Sequence, residues 1–292
     1  MFVTTNGQTD NPRNDQRRER LRTMTLTAWD LRRMRQDDQS PRTRHMVLKT
    51  HERLSLLAEA ERGVPKHVRS FLKIGREGAP GVLLVHGTDQ SPADLVPLAR
   101  VLNDAGLTVA GILLADYGHG GVGDPKARWR ATLQQLRLGY GLIAGVCKEI
   151  HVVGVGFGGA LALHLAQREK VSGLVLVAPA LTPKASIWMR LAQSSKLIKL
   201  PFIRRRLGNL VDAFEGMTEA HHLASKIDVP IFGVQCDDDT EVSPESLRFL
   251  QKKAKHRHCR FQAFPTGGHD VLGSHGGDGL YRNILEFIQQ KH

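Results

Sequence analysis

The chain has 292 residues, a formal net charge of +12 and a hydrophobic share of 41%. That length allows one large domain with a sizeable core, and that share excludes a chain that stays mostly disordered. No apolar run reaches the roughly 18 residues of a membrane-spanning helix, so no span is expected. Residues Met1 to Asp15 are polar and lack the apolar stretch of a secretory signal. Cys147, Cys236 and Cys259 are widely spaced and odd in number. They argue against a disulfide framework or a zinc site, and a reducing, cytoplasmic setting is the simplest reading. The positive charge comes without a recognition motif or an aromatic stacking platform, so nucleic acid is not the expected partner.

Residues 1–65 read as a basic N-terminal extension, and residues 66–292 as the main domain. The extension has room for a short helix over Trp29–Arg35. An amphipathic helix follows, with Val47, His51, Leu54 and Ala58 on one stripe, Leu48 and Leu57 beside it, and Gly63 and Pro65 ending it. Its apolar face is expected to pack on the main domain, or else to meet a partner or membrane surface. Beyond residue 66, short apolar strands alternate with helices. That pattern predicts an α/β fold with a mostly parallel sheet covered on both faces. The predicted strands are Gly81–Val85, Val109–Ala115, His151–Val155, Gly173–Val177, Val229–Val234 and Cys259–Phe264. Helices are expected at 92–104, 126–146, 157–168, 244–255 and 279–290. The segment 181–225 breaks the alternation and is too long for a simple connection, so it is expected to form a helical lid.

One strand-to-helix junction carries the chemistry: Gly154-Val155-Gly156-Phe157-Gly158-Gly159. Gly154, Gly156 and Gly159 also fit a G-x-G-x-x-G dinucleotide fingerprint. That fingerprint needs an acid at the end of the next strand, and here the strand runs into Ala178-Pro179-Ala180. The better reading is a nucleophile elbow G-x-S-x-G with Gly156 in the serine position. Glycine adopts the strained dihedrals of such a turn freely, so the exchange removes a nucleophile and relaxes strain together. Three loops at strand ends complete the set. His86-Gly87-Thr88 is expected to supply an oxyanion-hole N–H at Thr88, beside that of Phe157. Asp239, three residues before Val242, is the candidate acid, and His269 the candidate base.

These motifs resemble the α/β-hydrolase superfamily, in its carboxylesterase and monoacylglycerol-lipase branch. The resemblance spans about residues 79–290. It rests on Val85-His86-Gly87, Ser91-Pro92-Ala93-Asp94, Tyr117-Gly118-His119-Gly120, Gly154 through Gly159, Ala178-Pro179-Ala180-Leu181, Ile227-Asp228-Val229-Pro230, Asp239 to Ser246 and Gly268-His269. It implies the α/β-hydrolase fold, no cofactor, no metal, and short- to medium-chain acyl esters or monoglycerides as ligands. Gly156 departs from the branch, as does Thr88, which stands where an aromatic or other apolar residue is usual.

Other features read more plainly. Cys147 and Cys236 lie away from the elbow and do not replace the serine. His221-His222 reads as a surface pair, because adjacent helical residues point in different directions. Gly118 to Gly123 lacks the ending of a phosphate loop. The segment from Lys184 to Arg206 mixes Lys and Arg with Trp188, Phe202 and aliphatic residues. It suits a lid with a solvated basic top, or one that meets anionic lipid. Three functions remain open: a non-hydrolytic binder of a small acyl or lipid-like ligand; an enzyme using His269 as general base without a covalent nucleophile; and a serine esterase in which glycine has replaced the serine.

Overall fold

The computed structural model describes residues 41–114, 129–182 and 215–290. Most of the predicted lid lies outside these residues, as do Trp29–Arg35 and the loop from Tyr117 to Gly123. Seven strands form one sheet: β1 (Phe71–Lys73), β2 (Gly81–Val85), β3 (Thr108–Ile112), β4 (Ile150–Val155), β5 (Gly173–Val177), β6 (Ile231–Cys236) and β7 (Arg260–Phe264). Their order across the sheet is β1-β3-β2-β4-β5-β6-β7. Only the β1–β3 pair is antiparallel.

The central strands are apolar on both sides because helices cover both faces. Leu83, Val85, Val152, Leu174 and Leu176 pack with α3 (Trp129–Ala144) and α4 (Phe157–Ala166). Their neighbours of opposite parity, Val82, Leu84, Val153, Val175 and Val177, pack with α2 (Val96–Asp104) and α8 (Tyr281–Gln289). This is the period-two alternation of a strand buried twice over. Helix α5 covers residues 215–223, α6 is Glu245–Lys253 and α7 is Val271–His275.

Several boundaries differ from expectation for local reasons. The helix expected over 92–104 begins as a 3-10 turn, Pro92–Leu95, closed by Ser91 and Asp94 bonding each other's ends, and continues as α2. The sixth strand starts at Ile231 rather than Val229 and runs on through Gln235 and Cys236. The helix expected over 279–290 is preceded by α7 and a π-helical turn, Gly276–Leu280. β1 was not expected, because three residues are too few to show a period.

Helix α1 (Pro41–Glu61) closes the sheet edge that β1 would otherwise leave open. Leu48 is buried, whereas Leu57 faces solvent. Polar contacts join in the docking: the carboxylate of Glu52 accepts from Leu72 N at 3.2 Å, and that of Glu59 from Ser70 N at 2.9 Å. Ser70 Oγ also donates to Glu59 and accepts from Leu113 N at 2.8 Å. Two acids seven residues apart on one helix face thus satisfy the N–H of Ser70, just before the edge strand, and that of Leu72 within it, which blunts that edge against pairing elsewhere. Burial pushes the Glu59 carboxyl up from its ordinary value, against the lowering effect of the Ser70 bonds. Glu59→Ala should cost about 1–3 kcal/mol in urea unfolding, since it strands two donors. Glu52→Ala, at a more open position, should cost less. Equal losses would contradict this account of the edge.

Candidate functional site

The junction between β4 and α4 is a tight turn centred on Gly156, at φ +55° and ψ −120°. A residue with a side chain is strained at that φ. The turn is held through both the N–H and the carbonyl of Gly156. Gly156 N donates to Val177 O at 2.9 Å, and Gly156 O accepts from Gly159 N at 3.0 Å and Ala180 N at 2.9 Å. Close approach fixes the flanking residue types as well. A Cβ on Gly158 would stand 2.4 Å from Val85 O, and one on Gly154 would stand 2.4 Å from Gly158 O. The helix backbone therefore passes directly over the ends of β2 and β4.

A Cβ on Gly156 would have His269 Nε2 at 3.4 Å and Gly87 Cα at 3.8 Å as neighbours. So the elbow, the loop after β2 and the loop after β7 meet at one point. Thr88 follows Gly87 in that loop and is half-buried, and Phe157 opens α4 and is buried. His86 is wholly buried. Its Nε2 accepts from Leu114 N at 3.0 Å, which puts its proton on Nδ1, 2.7 Å from Gly87 O. It shapes the loop rather than facing the elbow.

His269 is turned by Asp239. Its Nδ1 lies 3.0 Å from Asp239 Oδ2. The carboxylate is itself fully ordered by other donors: Oδ1 accepts from Glu241 N and Val242 N, both at 2.9 Å, and Oδ2 from Gln235 Nε2 at 3.3 Å. Asp238, beside it, accepts from Gly267 N at 3.2 Å and Gly268 N at 2.8 Å, which ties the acid's loop to the histidine's. Burial alone would raise the Asp239 pKa, but the bonds from His269, Val242 and Glu241 outweigh it and hold the carboxyl below its usual range. Burial likewise opposes charge on His269, yet the Asp239 bond and the charges of Asp239, Glu241 and Asp270 raise its pKa.

The other sequence candidates fall elsewhere. Burial, then Asp238, Asp239 and Asp237, push the Cys236 thiol up to about 11, so it is no thiolate nucleophile. His221 stacks on Phe249 with ring centroids 3.7 Å apart, which gives it a packing role. Gln235 and Glu241 carry no signal of their own in the sequence, and Asp238, a neighbour of the candidate acid, is passed over for Asp239 on the spacing to Val242. The run Asp237-Asp238-Asp239-Thr240-Glu241 was the available signal, since so many acids after one strand must be shared among the loops it faces.

Comparison with known protein families matches residues 82–282 to the alpha/beta hydrolase family. The chain belongs to that family. Over 104 residues this alpha/beta hydrolase is 36% identical to the thermostable monoacylglycerol lipase of Bacillus sp. (strain H-257), a stretch amounting to 34% of this chain and 40% of that lipase. Among solved structures, it resembles one from the metagenome-derived lipolytic enzymes LipS and LipT. That match has a TM-score of 0.68 and 16% identity, and covers 77% of this chain and 98% of the other. The monoacylglycerol lipase of Paleococcus ferrophilus gives a TM-score of 0.63 at 18% identity, over 75% and 97% of the two chains. At those identities the likeness is one of fold.

The Asp239–His269 pair has a pH signature. The raised His269 pKa contributes stability that is fully present below its unfolded value of 6.5 and is lost as pH rises through the folded value. The lowered Asp239 pKa contributes stability present above 3.8 and lost as pH falls through the folded value. The pair is therefore worth most between 3.8 and 6.5. Asp239→Asn should reduce unfolding free energy more at about pH 5.5 than at about pH 9. A pH-independent difference would mean that the pair does not ionise as described.

Proposed function

We propose that this alpha/beta hydrolase binds a small acyl or lipid-like ligand at the carboxyl end of its sheet and does not form an acyl-enzyme. One observation carries this reading: the residue at the elbow, whose side chain would face His269 Nε2 at 3.4 Å, is glycine. In this reading Gly156 occupies the nucleophile position, Asp239 and His269 are the acid–histidine pair, and the N–H groups of Thr88 and Phe157 form the oxyanion hole. A ligand carbonyl would be polarised there and oriented by His269, with no hydroxyl to attack it. The family membership and the partial identity to a monoacylglycerol lipase support an ester or monoglyceride as the ligand class. Loss of a serine nucleophile lowers turnover by about 10⁶, while about 10³–10⁴ over water can survive from binding and the oxyanion hole, so slow residual hydrolysis is compatible with this role.

The same 3.4 Å gap favours a second reading. The space left by the missing side chain lies against a histidine nitrogen, where a water could be held and activated by His269 as general base.

A fluorophosphonate probe should leave residue 156 unmodified, and a medium-chain monoacylglycerol should bind the intact chain in titration calorimetry with negligible turnover. A labelled serine elsewhere in the site would show that the nucleophile has been misplaced. Rapid hydrolysis without labelling would favour activated water.

A further inference from the structure

His269 has a second acid beside it. Asp239 takes Nδ1, while Glu241 Oε2 lies 3.8 Å from Nε2, at ion-pair distance though too long for a hydrogen bond. In a nucleophile elbow, Nε2 is the nitrogen that would otherwise meet the serine hydroxyl. We propose that Glu241 is a positioning residue for this site: it stands on the elbow side of His269 and its charge favours the doubly protonated imidazole, so that Nε2 can present an N–H donor to the ligand over a wider pH range. The proposal rests on the reading that His269 faces the bound ligand. It deepens that reading, because a donating Nε2–H selects ligands with an acceptor oxygen, such as an ester or carboxylic-acid carbonyl.

The geometry is local and one-sided. Asp239 and Glu241 reach His269 from the loop after β6, and Asp270, the cap of α7, acts from the histidine's own loop. The elbow and the loop after β2 bring Gly156 and Gly87, which have no side chains to compete for Nε2. The Glu241 backbone N–H donates to Asp239 Oδ1 at 2.9 Å, so the residue that orders the first carboxylate also carries the second. Its side chain is 62% exposed, against 20% for His269. The carboxylate can therefore swing aside for a ligand, and its effect on His269 is screened by salt.

The test uses the full chain and Glu241→Gln, an exposed isosteric change that spares the fold. The His269 ring signal, identified by its loss in His269→Asn, is followed by NMR through a pH titration at low salt. Its midpoint should fall by about half a pH unit in Glu241→Gln. Glu241→Asp, with its shorter reach, should give a smaller fall, and about 1 M salt should shrink both differences. An unchanged midpoint in Glu241→Gln would overturn the proposal. Gly156→Ser and Gly156→Ser/Glu241→Gln separate this from the site reading. If both hydrolyse esters, the acid limb of the rate profile should move down by the same interval in the double variant. Esterase activity with no movement of either the limb or the NMR midpoint refutes the role of Glu241 alone. A shifted NMR midpoint with no esterase activity in either variant leaves the Glu241 contact standing and refutes the triad geometry, leaving binding alone.

Discussion

The first turn of α4 lies against the carbonyls of Val85 and His86 so closely that one methyl group at residue 158 would stand 2.4 Å from an oxygen. That approach sets the position of everything at the carboxyl edge of the sheet. It forces β4 to reverse into a helix within one residue, which puts Gly156 at positive φ. It also brings the end of β2 under the elbow, so that Gly87 and the loop beyond it share the same small volume. The carbonyl of Gly156 then receives Ala180 N from the segment after β5. β4 and β5 are thereby tied through Gly156, and β2 through Gly158, to the one turn. Ala178, in that same segment, is the only non-glycine residue at positive φ among those described. Its N–H bond to Val234 O, at 2.7 Å, holds it there.

The fourth and fifth loops are joined to this frame by charge. Asp239 is inaccessible and would be costly as an isolated ion. Two backbone N–H groups, an amide and an imidazole supply its partners, and those bonds make ionisation favourable despite burial. Asp238 performs the corresponding task for the backbone of Gly267 and Gly268. The imidazole is thus oriented from behind by a carboxylate whose own position is fixed, the arrangement that lets a histidine act on whatever stands at Nε2. In this chain that position faces a glycine.

How much of this could be read from sequence depends on the range of the interaction. β2 and β5 were legible to the residue because they are buried on both faces and read as unbroken apolar runs. β6 was misplaced by two residues at each end, because Gln235 looks like a loop residue until its amide is seen bonding Asp239 and Val242. The edge strand β1 was invisible, since its stability comes from α1 and β3 rather than from its own three residues. At the site, strand-end position and chain order pointed to Gly156, Asp239 and His269, and the structure brings these three together. Glu241 was missed because its relation to His269 is a matter of side-chain reach across 28 residues, which no local pattern encodes. The apolar packing of α1 holds at Leu48, and Glu52 and Glu59 add polar contacts to it, because an open sheet edge offers hydrogen-bond donors and not only apolar surface.

In the proposed reading one absent side chain separates this site from an acyl-transfer centre, and its absence also relaxes the turn. Both halves are read by a single paired measurement on Gly156→Ser: turnover of short acyl esters and unfolding free energy in urea. Turnover should rise by several orders of magnitude while stability falls by about 1–3 kcal/mol, since serine must adopt a φ that glycine tolerates. A variant that is neither more active nor less stable than the parent chain would contradict it.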